Sequence, residues 1–274
     1  MKFTKMHGLG NDFILIDLPE LPQLEAWEET AIQMCDRHFG IGADGLVLLF
    51  PVDDADFGMR ILNRDGSVTE QCGNAIRCAG RYYYEKNSSA KQTLVIQTRI
   101  GNQTVSLTED EVCVNMGEPI LQGLEIPVDL DLERVVKQSI DVNGERFWFT
   151  AVSMGNPHIV IEVEDAATFP IEIWGPLLET HALFPNRANI EFITVRSATD
   201  IQMRVWERGV GQTLACGSGA CAVLVASVLN GQTETKAQIE LLGGELTIEW
   251  NQENQQVYMT GPATFVFEGE WVSS

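Results

Sequence analysis

Basic residues and long apolar runs are both scarce in this chain of 274 residues. It has 18 lysines and arginines against 39 aspartates and glutamates, which gives a formal net charge of −21. An acidic surface repels phosphate backbones, so we expect no nucleic-acid partner. No stretch approaches the roughly 18–20 apolar residues of a membrane span, and the N-terminal segment has no signal-peptide pattern. We therefore expect a cytoplasmic protein without membrane contact, in which thiols stay reduced.

The cysteines lack the spacing of a metal site. None of them forms a C-x-x-C pair, and the four histidines do not cluster with them. A structural zinc site needs about four closely spaced ligands, so we expect no metal. The repeated segments described below contain no lysine that could hold pyridoxal phosphate, and we expect no cofactor. The six cysteines are Cys35, Cys72, Cys78, Cys113, Cys216 and Cys221.

A glycine-rich segment, "GIGADG" (40–45), fits the pattern G-x-G-x-x-G. That pattern binds dinucleotides where it follows a strand and opens a helix. Here the predicted order is reversed, since a helix precedes the segment and the strand "LVLLF" follows it. The segment therefore does not indicate dinucleotide binding.

An internal repeat organises the chain. The segment "MRILNRDGSVTEQCG" (59–73) aligns with "MRVWERGVGQTLACG" (203–217), so that Cys72 falls on Cys216. "GNDFILID" aligns in the same order with "GNPHIVIE", and "VNMGEP" aligns with "VYMTGP". Several matches in one order at a nearly constant offset indicate two copies of one fold.

The repeat predicts an α/β protein of the α+β type. We expect two pseudo-symmetric halves, each a curved, mainly antiparallel sheet wrapped around a central helix. One half comprises residues 1–117 with the C-terminal strand 262–274, and the other comprises residues 118–261. The C-terminal strand should correspond to "EPILQGLEIPV" at the start of the second copy.

Short apolar runs with strand character recur in both copies, and each repeated cysteine precedes a helical segment. The strands are "FILID", "GLVLLF" and "MRILN" in the first copy, and "HIVIEV", "EFITV" and "IQMRVW" in the second. The segment 23–40 is also predicted to be helical, with Gly40 as its C-terminal stop. The helix after Cys216 is apolar nearly all round and should be buried.

Cys72 and Cys216 differ from the other four cysteines, for which packing as small hydrophobes is the preferred interpretation. Each precedes a glycine and then a capping-type residue, Asn74 or Ser218, at the start of a helix. The helix dipole there favours a thiolate, so the pKa of each thiol should fall. The unpaired N–H groups of residues 73, 74, 217 and 218 would also bind a carboxylate.

A matched pair of thiols suits proton transfer at a carbon held between them. One thiolate removes a proton from one face, and the other thiol delivers a proton to the opposite face. Two alternatives remain open: core cysteines that coincide after duplication, and a redox pair that forms a regulatory disulfide.

The segments "HGLGNDF", "GIGADG", "MGNPH" and "ERGVGQTLACGSGACA" together resemble the diaminopimelate epimerase family, in order and across essentially the whole chain. That family interconverts LL- and meso-diaminopimelate without pyridoxal phosphate, for lysine and cell-wall synthesis, and homodimers are common. The resemblance implies that Cys72 and Cys216 are the catalytic pair and that His158 and Glu207 assist them. It implies substrate contacts at Asn11, Asn63, Gly73, Asn74, Asn156, Asn189, Glu207, Arg208, Gly217 and Ser218.

Two positions depart from the family pattern. Gln212 stands where a glutamate is frequent, and Gly45 replaces a glutamine that some members use near the substrate. Within the repeat, Asn63 faces Glu207, a divergence that suits a substrate with one reacting and one non-reacting end. The alternatives are a proline or hydroxyproline racemase, which has no use for Arg208 at a distal carboxylate, and a non-catalytic amino-acid-binding module.

Overall fold

The computed structural model describes residues 1–69, 72–87 and 91–272. The chain divides into two compact units, of which unit 1 comprises Met1–Asn115 with Thr260–Ser274, and unit 2 comprises Met116–Met259. The boundaries expected from the repeat, at residues 117 and 261, lie two residues beyond these. Residues 273 and 274 of the expected C-terminal strand lie outside the described residues, as do residues 70 and 71 of the first repeated segment.

Unit 1 contains nine named strands and two α-helices within the described ranges, together with one 3-10 turn at Leu24–Ala26. The strands and helices are β1 (Lys2–Gly8), β2 (Asn11–Asp17), α1 (Glu28–Cys35), β3 (Gly45–Phe50), β4 (Phe57–Asn63), β5 (Val68–Thr69), α2 (Gly73–Lys86), β6 (Thr93–Thr98), β7 (Gly101–Leu107), β8 (Val112–Gly117) and β18 (Thr264–Glu270).

The unit 1 sheet is mixed but mainly antiparallel. Its strands run in the order β18, β1, β2, β3, β4, β6, β7 and β8, with β5 paired to β4. Only the β2–β3 and β4–β6 pairs among these are parallel. Helix α2 packs on β1, β2, β3, β6 and β7. These strands lie on either side of β4 in the strand order, so the sheet curves around the helix. The first eight residues of α2, 73–80, are all buried by this packing.

Unit 2 has the same series of elements. Within the described residues they are β9 (Gln138–Val142), β10 (Glu145–Ser153), β11 (Pro157–Glu162), α3 (Ile171–Glu179), β12 (Asn189–Ser197), β13 (Asp200–Glu207), β14 (Gly211–Gln212), α4 (Gly217–Leu229), β15 (Lys236–Leu241), β16 (Gly244–Trp250) and β17 (Val257–Gly261), with a 3-10 turn at Gly123–Glu125.

The topology of unit 1 recurs in unit 2, which confirms the two copies of one fold predicted from the sequence repeat. The strands β9, β10, β11, β12, β13, β15 and β16 pair in that order, with β14 on β13. The β11–β12 and β13–β15 pairs are parallel, as are their counterparts in unit 1. Helix α4 packs on β10, β11, β12, β15 and β16, the equivalents of the strands that surround α2. Because α4 is apolar on nearly every side, this enclosure buries ten of its residues.

The last strand and "EPILQGLEIPV" were expected to correspond, but they make equivalent pairings only at Thr264 and at Ile120. Thr264 pairs with His7 at the end of β1, and β18 then follows β1 for seven residues. Ile120 makes the equivalent bridge to Ser153 at the end of β10, but the chain then enters the 3-10 turn. Residues 145–149 of β10 pair with β9 instead. The predicted strand is therefore reduced to a single bridge.

The predicted helix over 23–40 is shorter than expected, and Gly40 does not end it. Helix α1 stops at Cys35, and the extended backbone of Asp36 terminates it. The Asp36 carboxylate then accepts hydrogen bonds from the N–H groups of His38 and Phe39. Gly40 has a different role, since a Cβ there would lie 2.2 Å from the Gln33 carbonyl oxygen. Among the described residues, no helix has the length and apolar character needed to cross a membrane.

Candidate active site

The repeated cysteines occupy the same structural position in the two units. Cys72 is the N-cap of α2 and Cys216 is the N-cap of α4, each with extended backbone. The Cys72 carbonyl accepts the Ile76 N–H at 3.0 Å, and the Cys216 carbonyl accepts the Ala220 N–H at 3.0 Å. The first N–H groups of each helix, including those of residues 73, 74, 217 and 218, therefore have no partner within the helix.

Asn74 and Ser218 are not capping residues, contrary to the sequence-based expectation. They are the second residues of α2 and α4, so their side chains do not occupy the cap positions. The cysteines themselves take the cap position. This places each thiol at the helix end, beside N–H groups that have no carbonyl partner within the helix.

In unit 1, the partly exposed thiol of Cys72 lies beside two asparagines. Its Sγ donates to Asn11 Oδ1 at 3.7 Å, and Asn74 Nδ2 donates to the same oxygen at 3.0 Å. Asn11 Nδ2 donates in turn to Asp44 Oδ2 at 2.9 Å. Asn74 is 3% exposed, and its own Oδ1 has no partner among the described residues.

Asn63 lies at the same end of the unit 1 sheet as Asn11. It pairs in register with Gly45, which pairs with Phe13 near the start of β2. The Asn63 side chain is held by Ser67 and Thr69 at 2.9 Å each. The departure at Gly45 has a steric reason, because a Cβ there would lie 2.9 Å from the Leu62 carbonyl oxygen. A glutamine at position 45 would require this strand pair to shift.

In unit 2, Cys216 is buried, with 7% of its surface exposed. Burial raises the pKa of the Cys216 thiol well above its usual value, and the negative charges of Glu207 and Glu191 raise it further. Hydrogen bonds from the Gly219 N–H and from Ser218 oppose this increase but do not overcome it. The sequence-based prediction of a lowered pKa is therefore wrong for Cys216, because desolvation and two carboxylates outweigh the helix end.

A buried histidine and carboxylate lie near this thiol. His158 Nδ1 is 2.7 Å from Glu191 Oε1, and both side chains are fully buried. His158 Nε2 is 2.9 Å from Asn156 Oδ1. A Cβ added to Gly219 would lie 2.9 Å from Glu191 Oε1 and 3.2 Å from Cys216 Sγ, so the carboxylate and the thiol both lie close to Gly219 in the first turn of α4.

The remaining predicted contacts of unit 2 lie at the ends of β12 and β13. Asn189 accepts the Arg208 N–H at 2.9 Å and donates to the Pro157 carbonyl at 2.9 Å. Glu207 Oε1 accepts a short hydrogen bond from Thr213 Oγ1. Arg208 is exposed, and its Nη1 donates to the Asn186 carbonyl at 3.2 Å.

The second departure from the family pattern, Gln212, turns away from this group of residues. Its Oε1 accepts from Arg204 Nη2 at 2.6 Å. A glutamine therefore serves as the acceptor for Arg204 at this position.

The other cysteines and the glycine-rich segment have structural surroundings. Cys35, Cys78 and Cys221 are buried, whereas Cys113 is partly exposed. Burial raises the pKa of Cys35 and of Cys78 to about 12. The N–H groups of residues 40–43 donate to carbonyls at the end of α1, so they are occupied and do not form a phosphate cradle. No cluster of three or more potential metal ligands occurs in the described ranges.

Two residues near the thiols were not singled out from the sequence, Asp44 and Glu191. Asp44 lies within "GIGADG", a segment whose glycine spacing suggests only a dinucleotide pattern. Glu191 is the one acidic residue in the otherwise apolar start of β12, "NIEFITV", and it is fully buried. A carboxylate in a buried strand was the available signal, since such groups are rarely buried without a partner.

Solved structures identify the fold class. A phenazine biosynthesis protein of the PhzF family from Bacillus anthracis has a TM-score of 0.69 at 15% identity, covering 100% of this chain and 99% of that one. A hydroxyproline epimerase from Agrobacterium vitis has a TM-score of 0.69 at 14% identity, covering 98% and 91%. At these identities the likeness concerns the fold alone.

Sequence comparison identifies the family within this class. The diaminopimelate epimerase family model matches residues 3–122 and 150–266. A diaminopimelate epimerase of Acetivibrio thermocellus is 53% identical over 98% of both chains. Another, from Methanococcus maripaludis, is 51% identical over 98% of this chain and 99% of its own. The chain belongs to the diaminopimelate epimerase family.

Proposed function

We propose that this protein interconverts LL- and meso-diaminopimelate, with Cys72 and Cys216 as the two acid/base residues. The observation that carries the proposal is the pair of cysteines at equivalent helix N-caps in a chain of this family. The reaction would supply meso-diaminopimelate for lysine and peptidoglycan precursors.

The chemistry requires one thiolate and one thiol. The thiolate takes the α-proton and becomes a thiol, while the opposite thiol delivers its proton to the other face of the carbon and becomes a thiolate. No bond to the protein forms, and nothing is oxidised or reduced. The N–H groups at residues 73, 74, 217 and 218 are suited to binding the α-carboxylate and stabilising the negative charge that develops beside it.

The remaining residues would bind the non-reacting end of the substrate. Arg208 is exposed and carries a planar fork of donors that suits a carboxylate. The amides of Asn63, Asn156 and Asn189, with Glu207, would contact the ammonium and carboxylate groups. We assign His158 and Glu207 as the residues that assist the thiols.

The free protein would hold Cys216 as a thiol, because burial and the nearby carboxylates raise the pKa of this group. The two cysteines exchange the roles of acid and base when the reaction runs in the reverse direction.

We further propose a cytoplasmic homodimer that works without pyridoxal phosphate. Support for self-association comes from β18, which pairs with β1 and exposes three consecutive apolar residues. Phe265 is 40% exposed, Val266 52% and Phe267 47%. A strand with such a surface is a candidate for pairing with another chain.

A substrate comparison tests the function against its alternatives. The reduced protein is incubated separately with LL-diaminopimelate, L-proline and trans-4-hydroxy-L-proline, and the products are resolved by chiral chromatography. We expect conversion of diaminopimelate alone. Conversion of a proline instead would identify a racemase of the same fold, and calorimetric binding of diaminopimelate without conversion would identify a binding module.

A further inference from the structure

The amide of Asn11 beside Cys72 has a fixed orientation. Asp44 Oδ2 lies 2.9 Å from Asn11 Nδ2, and an ionised carboxylate only accepts hydrogen bonds. The NH₂ group of Asn11 must therefore face Asp44. Its oxygen consequently faces Cys72 Sγ and Asn74 Nδ2, at 3.7 Å and 3.0 Å.

Asp44 itself is held from several directions. Its Oδ1 accepts from Arg37 Nη2 at 2.9 Å, and its Oδ2 also accepts the Asp12 N–H at 3.2 Å. Its own N–H donates to Asp12 Oδ1 at 3.1 Å. Asp12 is anchored in turn by Lys5 Nζ at 2.7 Å and by Arg37. Burial would raise the pKa of Asp12, but hydrogen bonds from Arg37 and Lys5 outweigh it and lower that pKa to about 2.

We infer that Asp44 is a positioning residue for the Cys72 thiol and acts through Asn11. By fixing the amide, it presents an acceptor to the sulfur, which favours the thiol over the thiolate. The same fixed oxygen of Asn11 can contact only hydrogen-bond donors, such as a thiol or a substrate ammonium, and not a carboxylate. The catalytic part of this inference rests on the proposed function, whereas the effect on the thiol does not.

Replacing Asp44 with asparagine should allow the side-chain amide of Asn11 to rotate. The charged hydrogen bond from Arg37 at 2.9 Å outweighs the longer, neutral one from the Asp12 N–H at 3.2 Å, so the new side-chain oxygen would stay at the Oδ1 position. This leaves an NH₂ group at the Oδ2 position facing Asn11. Asn11 would then turn its oxygen toward residue 44 and its NH₂ group toward Cys72. Asn74 can follow this rotation, because its unpartnered Oδ1 can accept from the rotated amide.

The test measures the reactivity of the Cys72 thiol and does not require turnover. The reduced full-length protein is alkylated with iodoacetamide at pH 7, and the rate at Cys72 is read from its peptide by mass spectrometry. We expect Asp44→Asn to increase this rate by about three- to tenfold, because an N–H donor stabilises the thiolate. Circular dichroism and thermal melting verify that each variant is folded.

The matched control is Asp56→Asn in the same unit. Asp56 also accepts from a cation, Lys91 at 2.6 Å, and from a backbone N–H, that of Val95 at 2.8 Å. It makes none of the contacts described for Cys72, so its replacement should leave the alkylation rate unchanged. An increase of similar size in the control would overturn the inference.

A double-mutant cycle separates positioning from the loss of a negative charge. Removing the Asp44 charge would itself favour a thiolate nearby, and that effect would persist without Asn11. We expect Asp44→Asn to increase the Cys72 rate much less in an Asn11→Ala background than in the wild-type background, because only the effect of the lost charge remains there. The same increase in both backgrounds, or none in either, would contradict the role of Asn11.

Activity measurements on the same variants then connect the thiol to catalysis. If the wild-type protein epimerises diaminopimelate, Asp44→Asn should lower kcat, and Asp56→Asn should not. If the wild-type protein shows no epimerisation, the proposed function fails, while the alkylation cycle still decides the inference about Asp44.

Discussion

At the scale of single residues, the two cysteines share a position but not an environment. Cys72 is partly exposed and lies beside amides, whereas Cys216 is buried near Glu207 and Glu191. The sequence repeat reveals the shared helix end, which would lower the pKa of both thiols. It does not reveal burial or the approach of a carboxylate from another strand, and for Cys216 these dominate.

A prediction follows for the thiol of Cys216. Its pKa is raised above its usual value by burial and by the nearby carboxylates, so the thiolate fraction is small at neutral pH. Glu207→Gln removes one of the charges responsible, and the alkylation rate of Cys216 at pH 8 should increase severalfold. Glu172→Gln, at an exposed carboxylate on α3, serves as the control. An unchanged or slower rate in Glu207→Gln would show that Glu207 does not act on this thiol.

At the scale of elements, the strands with strong apolar periodicity were predictable, and the exceptions have physical causes. Asp36 ends α1 by taking an extended backbone, four residues before the glycine expected to do so, and its carboxylate accepts hydrogen bonds from the N–H groups that follow. Helix α3 was not predicted, and its sequence "IEIWGPLLE" contains both a glycine and Pro176, which are poor helix formers. Asp44 and Glu191 could not be assigned from the sequence because their partners come from other elements.

The first turn of α4 leaves no room for a larger residue at Gly219. A methyl group there would meet Glu191 Oε1 at 2.9 Å and Cys216 Sγ at 3.2 Å, and both side chains are buried. We expect Gly219→Ala to lower kcat about 10- to 100-fold, because displacing the thiol misplaces the reacting atoms. The measurement is steady-state kinetics alongside chemical denaturation.

Ser227→Ala is the matched control on the same helix. Its Oγ is buried without a partner in the described part of the chain, and alanine is the better helix former. This variant should gain about 1 kcal/mol in the free energy of unfolding and keep its activity. Equal activity in Gly219→Ala and Ser227→Ala would contradict the proposed importance of the α4 turn.

At the scale of the whole molecule, each unit repeats one order of strands and one enclosed helix, and the chain returns to unit 1 through β18. This architecture was predictable because the repeat extends over most of the chain. The correspondence between β18 and the segment after β8 was predictable only in part. That segment makes a single bridge to β10 at Ile120 and then enters a 3-10 turn, and β9 pairs with β10 in the place that β18 takes beside β1.

The apolar strand β18 leads to a prediction about assembly. Val266→Lys places a charge within the exposed apolar run and should convert a dimer into a monomer, measured by sedimentation velocity. Ile173→Lys is the control, because Ile173 is 61% exposed on α3 in unit 2. A wild-type monomer, or a dimer unaffected by Val266→Lys, would contradict self-association through β18.

The central claim, proton transfer by two thiols, is tested most directly by hydrogen exchange. LL-diaminopimelate is incubated in D₂O with the reduced wild-type protein, and with Cys72→Ser, Cys216→Ser and Cys113→Ser as a control. We predict epimerisation with deuterium at one α-carbon for the wild type and the control, and a severe loss of epimerisation in the other two variants. Full epimerisation in both Cys72→Ser and Cys216→Ser, or no α-deuterium with the wild type, would contradict the two-thiol mechanism.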